Sequence, residues 1–518
     1  MAPHDIEASL PRLLRAAAQQ YPQHPAVILP DKRIDFAAFD RLSDRAAAGL
    51  AAKGVAKGDR VGLYCANSAD FAVAYAGILK AGAVVVPLNL LYSPAEVAYM
   101  LNDSGAKGLI YHGPFQDMAD YARGAVAGLE FFVAVDDRSG PEGWGAFLAN
   151  EGPVPDPVFD TGEDLAVILY TSGTTGHPKG AMLTHRNLAA NTASVRQALD
   201  WRAGEDVVLL VLPMFHAFAA TVGMLTPLVC GCAFAPVARF EPDTVVKTMA
   251  AAKATVFLGV PSMYSVLLRI KDELASVVSG LRLCVSGGAA LPVEVLRGFA
   301  ERFGVTIYEG DGPTECSPVT CVNPIGGLVK PGTVGLPVPM VEMRIVDEAG
   351  EPLPLGEVGE IAVRGPNVMK GYWRLPEATA ESFHDGWFLT GDLGTEDEDG
   401  YFAIVDRKKD MIIVNGMNVY PRVIEDALYS LAGVREAAVV GELHDLHGEI
   451  PVAYVSLHEE SNLSGAEVRN WCKERLGRHE IPRKVVVLPE LPKNATGKIL
   501  KRQLRKHGEV ERGVVGLE

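Results

Sequence analysis

Apolar residues recur along the first half of the chain in two alternating patterns. Stretches 37–53 and 71–80 are rich in Ala and Leu or Phe and predict helices, whereas 61–65 and 83–88 are short, nearly continuous apolar runs. Short apolar runs between helices are typical of parallel strands that are buried on both faces. Further runs of this kind predict strands at 166–170, 207–212, 255–258, 281–285 and 306–308. The pattern therefore predicts an α/β fold of layered subdomains.

The pattern changes after about residue 330. Segment 340–365 has the order strand, turn, strand, with Gly350 and Gly356 in the turns, which predicts an antiparallel or β-barrel-like section. From about residue 408 a smaller α+β unit is predicted, with helices and strands at 421–431, near 437, near 452, at 465–476 and at 484–488.

Two domains are therefore expected. The N-terminal domain spans residues 1–406, and a small, mobile C-terminal domain spans residues 407–518. The charged segment DRKKD at 406–410 is the predicted hinge between them.

One uncharged stretch, 207–238, is long enough on length alone to cross a membrane. Prolines at 213, 227 and 236 and glycines at 223 and 231 interrupt it, so a buried strand–loop–helix–strand segment is the better prediction. The net charge of −16 argues against a nucleic-acid partner, because phosphate backbones are bound by excess Lys and Arg.

The seven cysteines, an odd number in 518 residues, do not suggest a disulfide framework. Neither close pair, Cys230 with Cys232 or Cys316 with Cys321, has a second pair at zinc spacing. The N-terminus lacks the apolar core of a secretory signal, and the C-terminus carries no lipidation or peroxisomal motif. Free thiols in a reducing compartment, and hence a cytoplasmic location, are expected.

The strongest local motif is YTSGTTGHPKG at 170–180, where an apolar strand runs into a loop of glycine and hydroxyl residues. Glycine allows positive φ and close approach to an anion, and successive backbone amides in such loops bind phosphate. This is not a Walker A motif, because Lys179 is followed by Gly180. Composition alone leaves an anion-binding loop and an ordinary flexible turn equally open.

Four more motifs follow in order: YEGDGPTE (308–315), TGD (390–392), DRKKDMIIVNGMNVYP (406–421) and PKNATGK (492–498). With the loop, they resemble the motifs of the ANL superfamily, which comprises acyl- and aryl-CoA synthetases, peptide-synthetase adenylation domains and firefly-type luciferases. One such motif would be weak, whereas five in order over nearly the whole chain are very specific. The resemblance implies an ATP-dependent carboxylic acid–CoA ligase that works through an acyl-adenylate and uses ATP, Mg²⁺ and coenzyme A.

The resemblance also implies roles for single residues. Thr171 and Glu315 match the positions that hold Mg²⁺, Asp392 matches a carboxylate that binds the ribose, and Lys498 matches the catalytic lysine. Considered alone, Asp392 could cap a turn and Lys498 could be an ordinary solvated lysine. Their assignment to the ribose and to catalysis therefore depends on the five motifs occurring together in the order of the family. The other residues implied to bind ATP are Ser172, Gly173, Thr174, Thr175, Gly176, Lys179, Gly288, Ala289, Ala290, Glu309, Gly310, Asp311, Gly312, Thr314 and Arg407.

The C-terminal domain of the family takes two orientations, one for adenylation and one for thiolation. By resemblance the pivot is Lys409, and the loop at Gly416 lines the tunnel for the pantetheine arm of CoA. One position departs from the family pattern: Asp311 stands where an aromatic residue usually stacks on adenine. That change removes a stacking partner and supplies a hydrogen-bond acceptor, so nucleotide preference stays open.

The acid pocket is expected near His216, Gly287 and Gly312, and none of its predicted residues is formally charged. Ala217 stands where amino-acid-activating relatives keep a carboxylate. Because an unpaired buried charge is costly, an amino acid or dicarboxylate is disfavoured, which leaves a fatty acid or an aromatic acid. The sequence PTECSPVT at 313–320 resembles bacterial fatty-acid ligases more than plant aryl ligases, so a medium- or long-chain fatty acid is expected. His216 is counted with Lys498 and Glu315 among the catalytic candidates, although it either gates the pocket or only packs there. The predicted substrate-binding residues are Phe218, Val222, Gly287, Pro318 and Val319.

Three alternatives stay open at this point. In the first, the acid is an aryl acid of the benzoate or cinnamate type. In the second, the enzyme forms an adenylate but does not use CoA, because it loads a carrier protein or is a luciferase-like oxygenase. In the third, the chain only binds nucleotide. The last is disfavoured because a mere binder does not need Lys498. The expected partners are a small carboxylic acid and CoA, with no nucleic acid and no membrane span, and a homodimer is left open.

Overall fold

The computed structural model describes residues 5–137, 140, 142–171, 177–444, 446–493 and 499–505. The strands in these ranges, numbered in chain order, are β1 (Pro25–Ile28), β2 (Arg33–Asp35), β3 (Arg60–Tyr64), β4 (Val84–Pro87), β5 (Ala106–Tyr111), β6 (Phe131–Ala134), β7 (Leu165–Thr171), β8 (Lys179–Thr184), β9 (Val207–Leu210), β10 (Ala233–Pro236), β11 (Val256–Gly259), β12 (Leu283–Ser286), β13 (Ile307–Asp311), β14 (Cys321–Val322), β15 (Leu336–Pro337), β16 (Glu342–Val346), β17 (Gly359–Arg364), β18 (Gly371–Tyr372), β19 (Phe383–His384), β20 (Trp387–Glu396), β21 (Phe402–Arg407), β22 (Ile412–Val414), β23 (Met417–Val419), β24 (Val434–His444), β25 (Gly448–Leu457) and β26 (Lys484–Val487).

The helices follow the same numbering rule. They are α1 (Leu10–Gln20), α2 (Phe36–Ala52), α3 (Ala69–Lys80), α4 (Pro94–Ser104), α5 (Gln116–Ala125), α6 (Trp144–Leu148), α7 (His185–Ala198), α8 (Thr226–Cys230), α9 (Pro242–Ala252), α10 (Pro261–Leu267), α11 (Ala275–Ser279), α12 (Val293–Phe303), α13 (Pro376–Glu381), α14 (Pro421–Tyr429) and α15 (Gly465–Lys473). Short 3₁₀ turns lie at Gly113–Phe115, Asp272–Leu274 and Thr314–Cys316, and a π-helix at Ala219–Leu225.

Two large sheets form the N-terminal part; the nine-stranded sheet has antiparallel strands at both edges and the seven-stranded sheet at one edge. The seven-stranded sheet has the order β18-β8-β7-β4-β3-β5-β6, in which β7, β4, β3, β5 and β6 run parallel. The nine-stranded sheet has the order β15-β14-β13-β12-β11-β9-β10-β1-β2, parallel from β13 to β1. Every residue of β4 and β11 is buried, because helices cover both faces of the parallel strands.

The strands and helices predicted from the first half of the sequence are confirmed. Helices α2 and α3 and strands β3, β4, β7, β9, β11, β12 and β13 fall at the expected positions, with ends that differ by a few residues. These elements could be predicted because a strand covered on both faces must be apolar throughout, and a continuous apolar run is recognisable in a single sequence.

One buried asparagine ties the two large sheets together. Asn67 follows β3 of the seven-stranded sheet, and its amide nitrogen donates to the carbonyls of Leu212 at 2.9 Å and Val237 at 3.0 Å, beyond β9 and β10 of the other sheet. Its Oδ1 accepts from the backbone N–H of Met214 at 2.8 Å. The segment that leads to His216 is therefore fixed at the carboxyl ends of both sheets.

The uncharged stretch 207–238 forms β9, the π-helix, α8 and β10, which confirms a buried strand–loop–helix–strand segment. Across the described ranges, no helix combines the length and the apolar character that a membrane crossing requires. The seven cysteines are all free thiols and all buried.

The antiparallel section predicted after residue 330 is a five-stranded sheet, β16-β17-β20-β19 with β21 paired to β20. A separate sheet, β23-β22-β25-β24 with β26 parallel to β25, forms the C-terminal unit, and α14 and α15 pack on its core. Residues 408–411 connect β21 to β22, so the predicted hinge lies between two independent sheets. The domain boundary at 406/407 stays a prediction.

Candidate nucleotide and acid site

The phosphate motif begins on a hairpin of the seven-stranded sheet. Thr171 ends β7, Lys179 begins β8, and the two residues are paired across the antiparallel strands. The hairpin therefore brings the first and the last functional residue of the motif side by side. The five predicted residues between them, Ser172, Gly173, Thr174, Thr175 and Gly176, lie outside the described residues.

Glu315 lies beside this hairpin although it is 144 positions away from Thr171 in sequence. The hydroxyl of Thr171 donates to Glu315 Oε1 at 3.4 Å, and the hydroxyl of Tyr372 donates to the same oxygen at 2.9 Å. The ammonium of Lys179 lies 5.1 Å from the centre of the Tyr372 ring, at cation–π distance. The structure thus brings together the two predicted magnesium ligands and the lysine of the loop.

Tyr372 is a residue of this site that sequence reasoning missed. It lies in the two-residue strand β18, where it pairs with Ala181 of β8, and the next amide, of Trp373, donates to Gly180 at 2.7 Å. Burial, followed by the negative charge of Glu315, raises the pKa of Tyr372, so the phenol stays a neutral donor. A strand of two residues gives no periodicity in the sequence. The contact of Tyr372 with Glu315 is therefore evident only from the structure, in which β18 pairs antiparallel with β8.

The oxygen atoms at this position suit Mg²⁺. Magnesium prefers oxygen ligands and is usually held by one or two protein groups together with substrate phosphates and water. Thr171 and Glu315 supply such a pair, and among the described residues no cluster of three or more His, Cys, Asp or Glu side chains could hold a metal by itself. The residues fit a magnesium ion that arrives with a nucleotide.

The segment expected against adenine follows β12. Gly288 has φ of +77°, and Gly288 and Ala289 are exposed while Ala290 is half-buried. The carboxylate of Glu309, on the neighbouring strand β13, accepts from the backbone N–H of Leu291 at 2.8 Å and so supports this turn from below. Burial raises the pKa of Glu309 to about 7, against the effect of that hydrogen bond. Glu309 is therefore a buried support of the turn.

The end of β13 is folded back on the segment that follows it. The backbone carbonyl of Asp311 accepts from the amide of Thr320 at 3.0 Å and from its hydroxyl at 3.1 Å. A Cβ atom at Gly312 would come 1.7 Å from the carbonyl oxygen of Pro318, so no larger residue fits there. Gly310 and Asp311 lie on β13, and Thr314 is in the 3₁₀ turn that carries Glu315.

Asp392 and Arg407 face each other across the antiparallel pair β20–β21. Arg407 Nε donates to Asp392 Oδ1 at 3.3 Å. Burial lowers the pKa of Arg407, but Asp392, Asp410 and Asp311 outweigh it, so the pKa is raised above its usual value. The predicted ribose carboxylate and the predicted second contact are thus adjacent, and the charge of Asp311 acts on the same guanidinium.

The residues on either side of Lys409 are bonded to different parts of the chain, Lys408 to the five-stranded sheet and Asp410 to the C-terminal segment that packs through Leu504 on the core of the C-terminal unit. Lys408 Nζ pairs with Glu360 of β17 at 2.9 Å, whereas Asp410 Oδ1 accepts from Arg505, near the end of the described chain, at 2.9 Å. Lys409 itself is exposed and lies between these two attachments. This arrangement is suited to rotation about a single residue.

Gly416 is the second residue of a tight hairpin turn. Asn415 and Gly416 have φ of +51° and +80°, and they connect the paired residues Val414 and Met417. An Asn-Gly pair with positive φ at both positions is the signature of a two-residue hairpin turn. A Cβ at Gly416 would meet no atom within 4 Å, so in this structure the backbone conformation, and not crowding, explains the glycine.

Part of the predicted acid pocket is assembled around Gly287. A Cβ there would lie 3.3 Å from the carbonyl oxygen of Gly310 and 3.4 Å from the Phe218 ring. Val222 is fully buried in the π-helix, and π-helical turns are frequent at functional sites. His216 is exposed, and its Nδ1 accepts weakly from the amide of Phe218 at 3.4 Å.

Two further predicted pocket residues, Pro318 and Val319, lie beside α7. The backbone of Val319 makes two hydrogen bonds with the side chain of Asn191, at 2.8 and 3.3 Å, which fixes Pro318 and Val319 near Gly312. Lys498, the predicted catalytic lysine, lies outside the described residues. The chain on each side of it is anchored, because Lys493 pairs with Ile499 and the amide of Leu500 donates to Pro492 at 2.8 Å.

Comparisons with known proteins identify the family of the chain. The family of AMP-binding enzymes matches residues 14–373, and the AMP-binding enzyme C-terminal domain matches residues 423–498. A long-chain-fatty-acid–CoA ligase of Bacillus subtilis (strain 168) is 35% identical over 540 aligned positions, covering 97% of this chain and 96% of that protein. A feruloyl-CoA synthase of an Amycolatopsis species is 37% identical over 490 positions, covering 94% and 97%.

A solved structure gives the same result for the fold. The ATP-bound crystal structure of MatB from Rhodopseudomonas palustris superimposes with a TM-score of 0.88 at 34% identity, covering 96% of this chain and 99% of that one. The match includes the large N-terminal and the small C-terminal parts. The chain therefore belongs to the AMP-binding enzyme family, within the ANL superfamily of adenylate-forming enzymes, and is an acid–thiol ligase of the acyl-CoA synthetase type.

Proposed function

We propose that the chain converts a medium- or long-chain fatty acid, ATP and CoA into acyl-CoA, AMP and pyrophosphate. The observation that carries the choice of an acid with no second charge is the uncharged surround of Gly287, formed by the Phe218 ring and the backbone of Gly310. The full-length similarity to a long-chain-fatty-acid–CoA ligase supports a fatty acid within that class. Ala217 is buried and offers no carboxylate. A second charge on the acid would lose its hydration without gaining a partner, which costs several kcal/mol.

In the proposed first step, a carboxylate oxygen of the acid forms a bond to the α-phosphorus of ATP. The bond from that phosphorus to the bridging oxygen breaks, and pyrophosphate leaves with the electron pair. Negative charge increases on the phosphoryl oxygens during this step, so cations held close by lower the barrier. Lys179 is available for the leaving phosphates, and we assign the α-phosphate contact to Lys498 on the strength of the motif PKNATGK.

Thr171 and Glu315 would hold the magnesium ion, whose charge compensates the polyphosphate when it is bound. Asp392 would accept hydrogen bonds from the ribose hydroxyls, and its position opposite Arg407 on β20–β21 supports that assignment. The turn at Gly288, supported by Glu309, leaves room for the adenine ring because its side chains are small.

In the proposed second step, the CoA sulfur forms a bond to the acyl carbon, AMP leaves with the electron pair, and the thiol proton passes to solvent. This step requires Lys498 to leave the site and the thiol to enter. The ion pair of Lys408 with Glu360 of the five-stranded sheet and that of Asp410 with Arg505 of the C-terminal segment support a rotation about Lys409 that carries the C-terminal domain between the two positions.

The proposal is tested by measuring thioester formation over a panel of acids, namely butyrate, laurate, palmitate, benzoate, ferulate and malonate, each with and without CoA. We expect laurate and palmitate to have the highest kcat/KM, with acyl-CoA as the product. Malonate as the best substrate would contradict the argument from the uncharged pocket. Pyrophosphate release with laurate but no acyl-CoA when CoA is present would exclude CoA as the acceptor.

An aryl acid is the second candidate, and the similarity to feruloyl-CoA synthase favours it. The same panel separates the two, because ferulate or benzoate would then exceed laurate in kcat/KM. The pocket around the Phe218 ring has no charged residue at its predicted positions, so both acids satisfy the electrostatic condition.

The two orientations are tested with Lys498→Ala. We expect this variant to lose adenylate formation but to keep the transfer of acyl groups from added acyl-adenylate to CoA. Arg502→Ala is the matched control, because it removes one exposed positive charge from the same C-terminal segment. An equal loss of both half-reactions in Lys498→Ala would contradict the assignment of separate orientations.

A further inference from the structure

Tyr372 contacts both charged groups of the phosphate site, Glu315 and Lys179. Its hydroxyl donates to Glu315 Oε1 at 2.9 Å, and its ring centre lies 5.1 Å from Lys179 Nζ. The backbone of this segment is equally close, because the amide of Met369 donates to the carbonyl of Glu315 at 2.7 Å. The β18 segment therefore holds Glu315 through both its backbone and its side chain.

The hydroxyl of Tyr372 limits the directions that the Glu315 carboxylate can take. The hydrogen bond of Tyr372 to Oε1 has an ordinary length of 2.9 Å, whereas the contact of Thr171 with the same oxygen is longer, at 3.4 Å. A hydrogen bond to a carboxylate is stronger than one between neutral groups. Without the phenol, the longer contact alone would restrain a side chain with three rotatable bonds, and a metal ligand would lose its fixed geometry.

The ring of Tyr372 acts on a different group, the ammonium of Lys179. A cation over an aromatic face is attracted by the ring quadrupole, most strongly where water is excluded. Tyr372 is half-buried and its strand pairing with Ala181 fixes the ring beside β8. One side chain thus separates the lysine and the glutamate, with the cation at its face and the carboxylate at its edge.

We propose that Tyr372 is a positioning residue of the nucleotide site, which orients Glu315 for the magnesium–nucleotide complex through its hydroxyl and restrains Lys179 through its ring. This inference rests on the proposed function for the identity of the nucleotide. It predicts an effect of the hydroxyl that depends on the metal, because Glu315 contacts the nucleotide through the ion. A residue that only supported the fold would act alike with and without metal.

The test uses the full-length chain without acid or CoA, and α,β-methylene-ATP as the probe, measured by calorimetry in Mg²⁺ and in EDTA. Tyr372→Phe is expected to weaken binding about tenfold in Mg²⁺, the size expected for one hydrogen bond to a charged group, and to leave binding in EDTA unchanged. An equal loss in both conditions, no loss in Mg²⁺, or a wild-type protein that binds no better with Mg²⁺ would overturn the proposal.

Tyr401→Phe is the matched control. Its hydroxyl donates to the carbonyl of Leu328 at 2.7 Å and its ring lies 4.4 Å from Lys330 Nζ, so the substitution removes one bonded hydroxyl from a ring beside a lysine, away from the nucleotide site. This variant is expected to bind the probe as the wild type does in both conditions. A metal-dependent loss in Tyr401→Phe equal to that of Tyr372→Phe would count against a specific role.

A double-mutant cycle with Glu315→Gln tests the coupling between Tyr372 and Glu315 directly, and circular dichroism of each variant shows that it is folded. The expected result is non-additive: once Glu315 is changed, Tyr372→Phe has no further effect on binding in Mg²⁺. Additive losses would overturn the proposal. Failure of the proposed acid specificity would appear in the acid panel and would leave these binding measurements unchanged, so the two outcomes are distinguishable.

Discussion

The buried carboxyl of Glu309 makes the stability of the large domain depend on pH. Glu309 is 4% exposed, and its side chain accepts a hydrogen bond from the amide of Leu291 at 2.8 Å. Burial is the main cause that raises its pKa from 4.5 to about 7, and the charge of Asp311 adds to it. Glu309→Gln replaces the group with a neutral side chain that keeps an oxygen acceptor for the same amide.

The direction and size of this pH effect on stability follow from the difference between the pKa of Glu309 in the folded and in the unfolded state. The native state holds the proton of Glu309 more tightly than the unfolded state, so this group stabilises the protein fully below about pH 4.5, and that contribution is lost as pH rises through about 7. A rise from 4.5 to about 7, at about 1.4 kcal/mol per pKa unit, corresponds to about 3 kcal/mol lost by pH 8. The glutamine variant does not lose it.

The assay is thermal unfolding of wild type and Glu309→Gln between pH 5 and pH 8, in buffers of equal ionic strength. We expect the melting temperature of the variant relative to wild type to increase with pH, by a few degrees over this range. Asp5→Asn, an exposed carboxylate near the N-terminus, is the control and should show a flat difference. A difference between wild type and Glu309→Gln that does not change with pH would refute a raised pKa at this position.

Three further predictions follow from the site and its supports. Asp392→Asn should raise the KM for ATP about tenfold in steady-state assays because it removes the charge that accepts the ribose hydroxyls, and an unchanged KM would contradict that role. Gly287→Leu should lower kcat/KM for palmitate more than for butyrate, since its side chain would enter the space beside Phe218, whereas an equal loss for both acids would place Gly287 off the acyl path. Lys501→Gln should destabilise the C-terminal unit by about 3 kcal/mol in a denaturant titration, because Lys501 pairs with Glu425 at 2.8 Å, and Arg502→Gln, at an exposed position of the same segment, should have little effect.

Much of the fold could be predicted from the sequence because its central strands are parallel. A strand such as β4, buried on both faces, is a continuous apolar run. The helices α2 and α3, which alternate with such strands, instead have the spacing of apolar residues that is typical of a helix. The antiparallel additions were not predictable, because β18 has two residues and its pairing to β8 joins segments far apart in the chain. Pairing over such distances leaves no local pattern.

The candidate site divides in the same way. Four of its residues, Thr171, Glu315, Asp392 and Arg407, were predicted from motif order. In the structure Thr171 contacts Glu315, and Asp392 contacts Arg407. Tyr372 was missed because its role depends on tertiary contacts with Glu315 and not on a motif. Gly416 was predicted from the resemblance, and the structure shows it at a positive φ in an Asn-Gly turn; its place along a CoA tunnel stays a prediction.

The most direct test of acid activation uses a fatty acid labelled with ¹⁸O in its carboxylate. If the carboxylate oxygen bonds to the α-phosphorus, one ¹⁸O atom must appear in AMP after transfer of the acyl group to CoA, and mass spectrometry of the nucleotide detects it. We predict labelled AMP and unlabelled pyrophosphate. Label in orthophosphate with ADP as the nucleotide product would show attack at the γ-phosphorus and would contradict an acyl-adenylate.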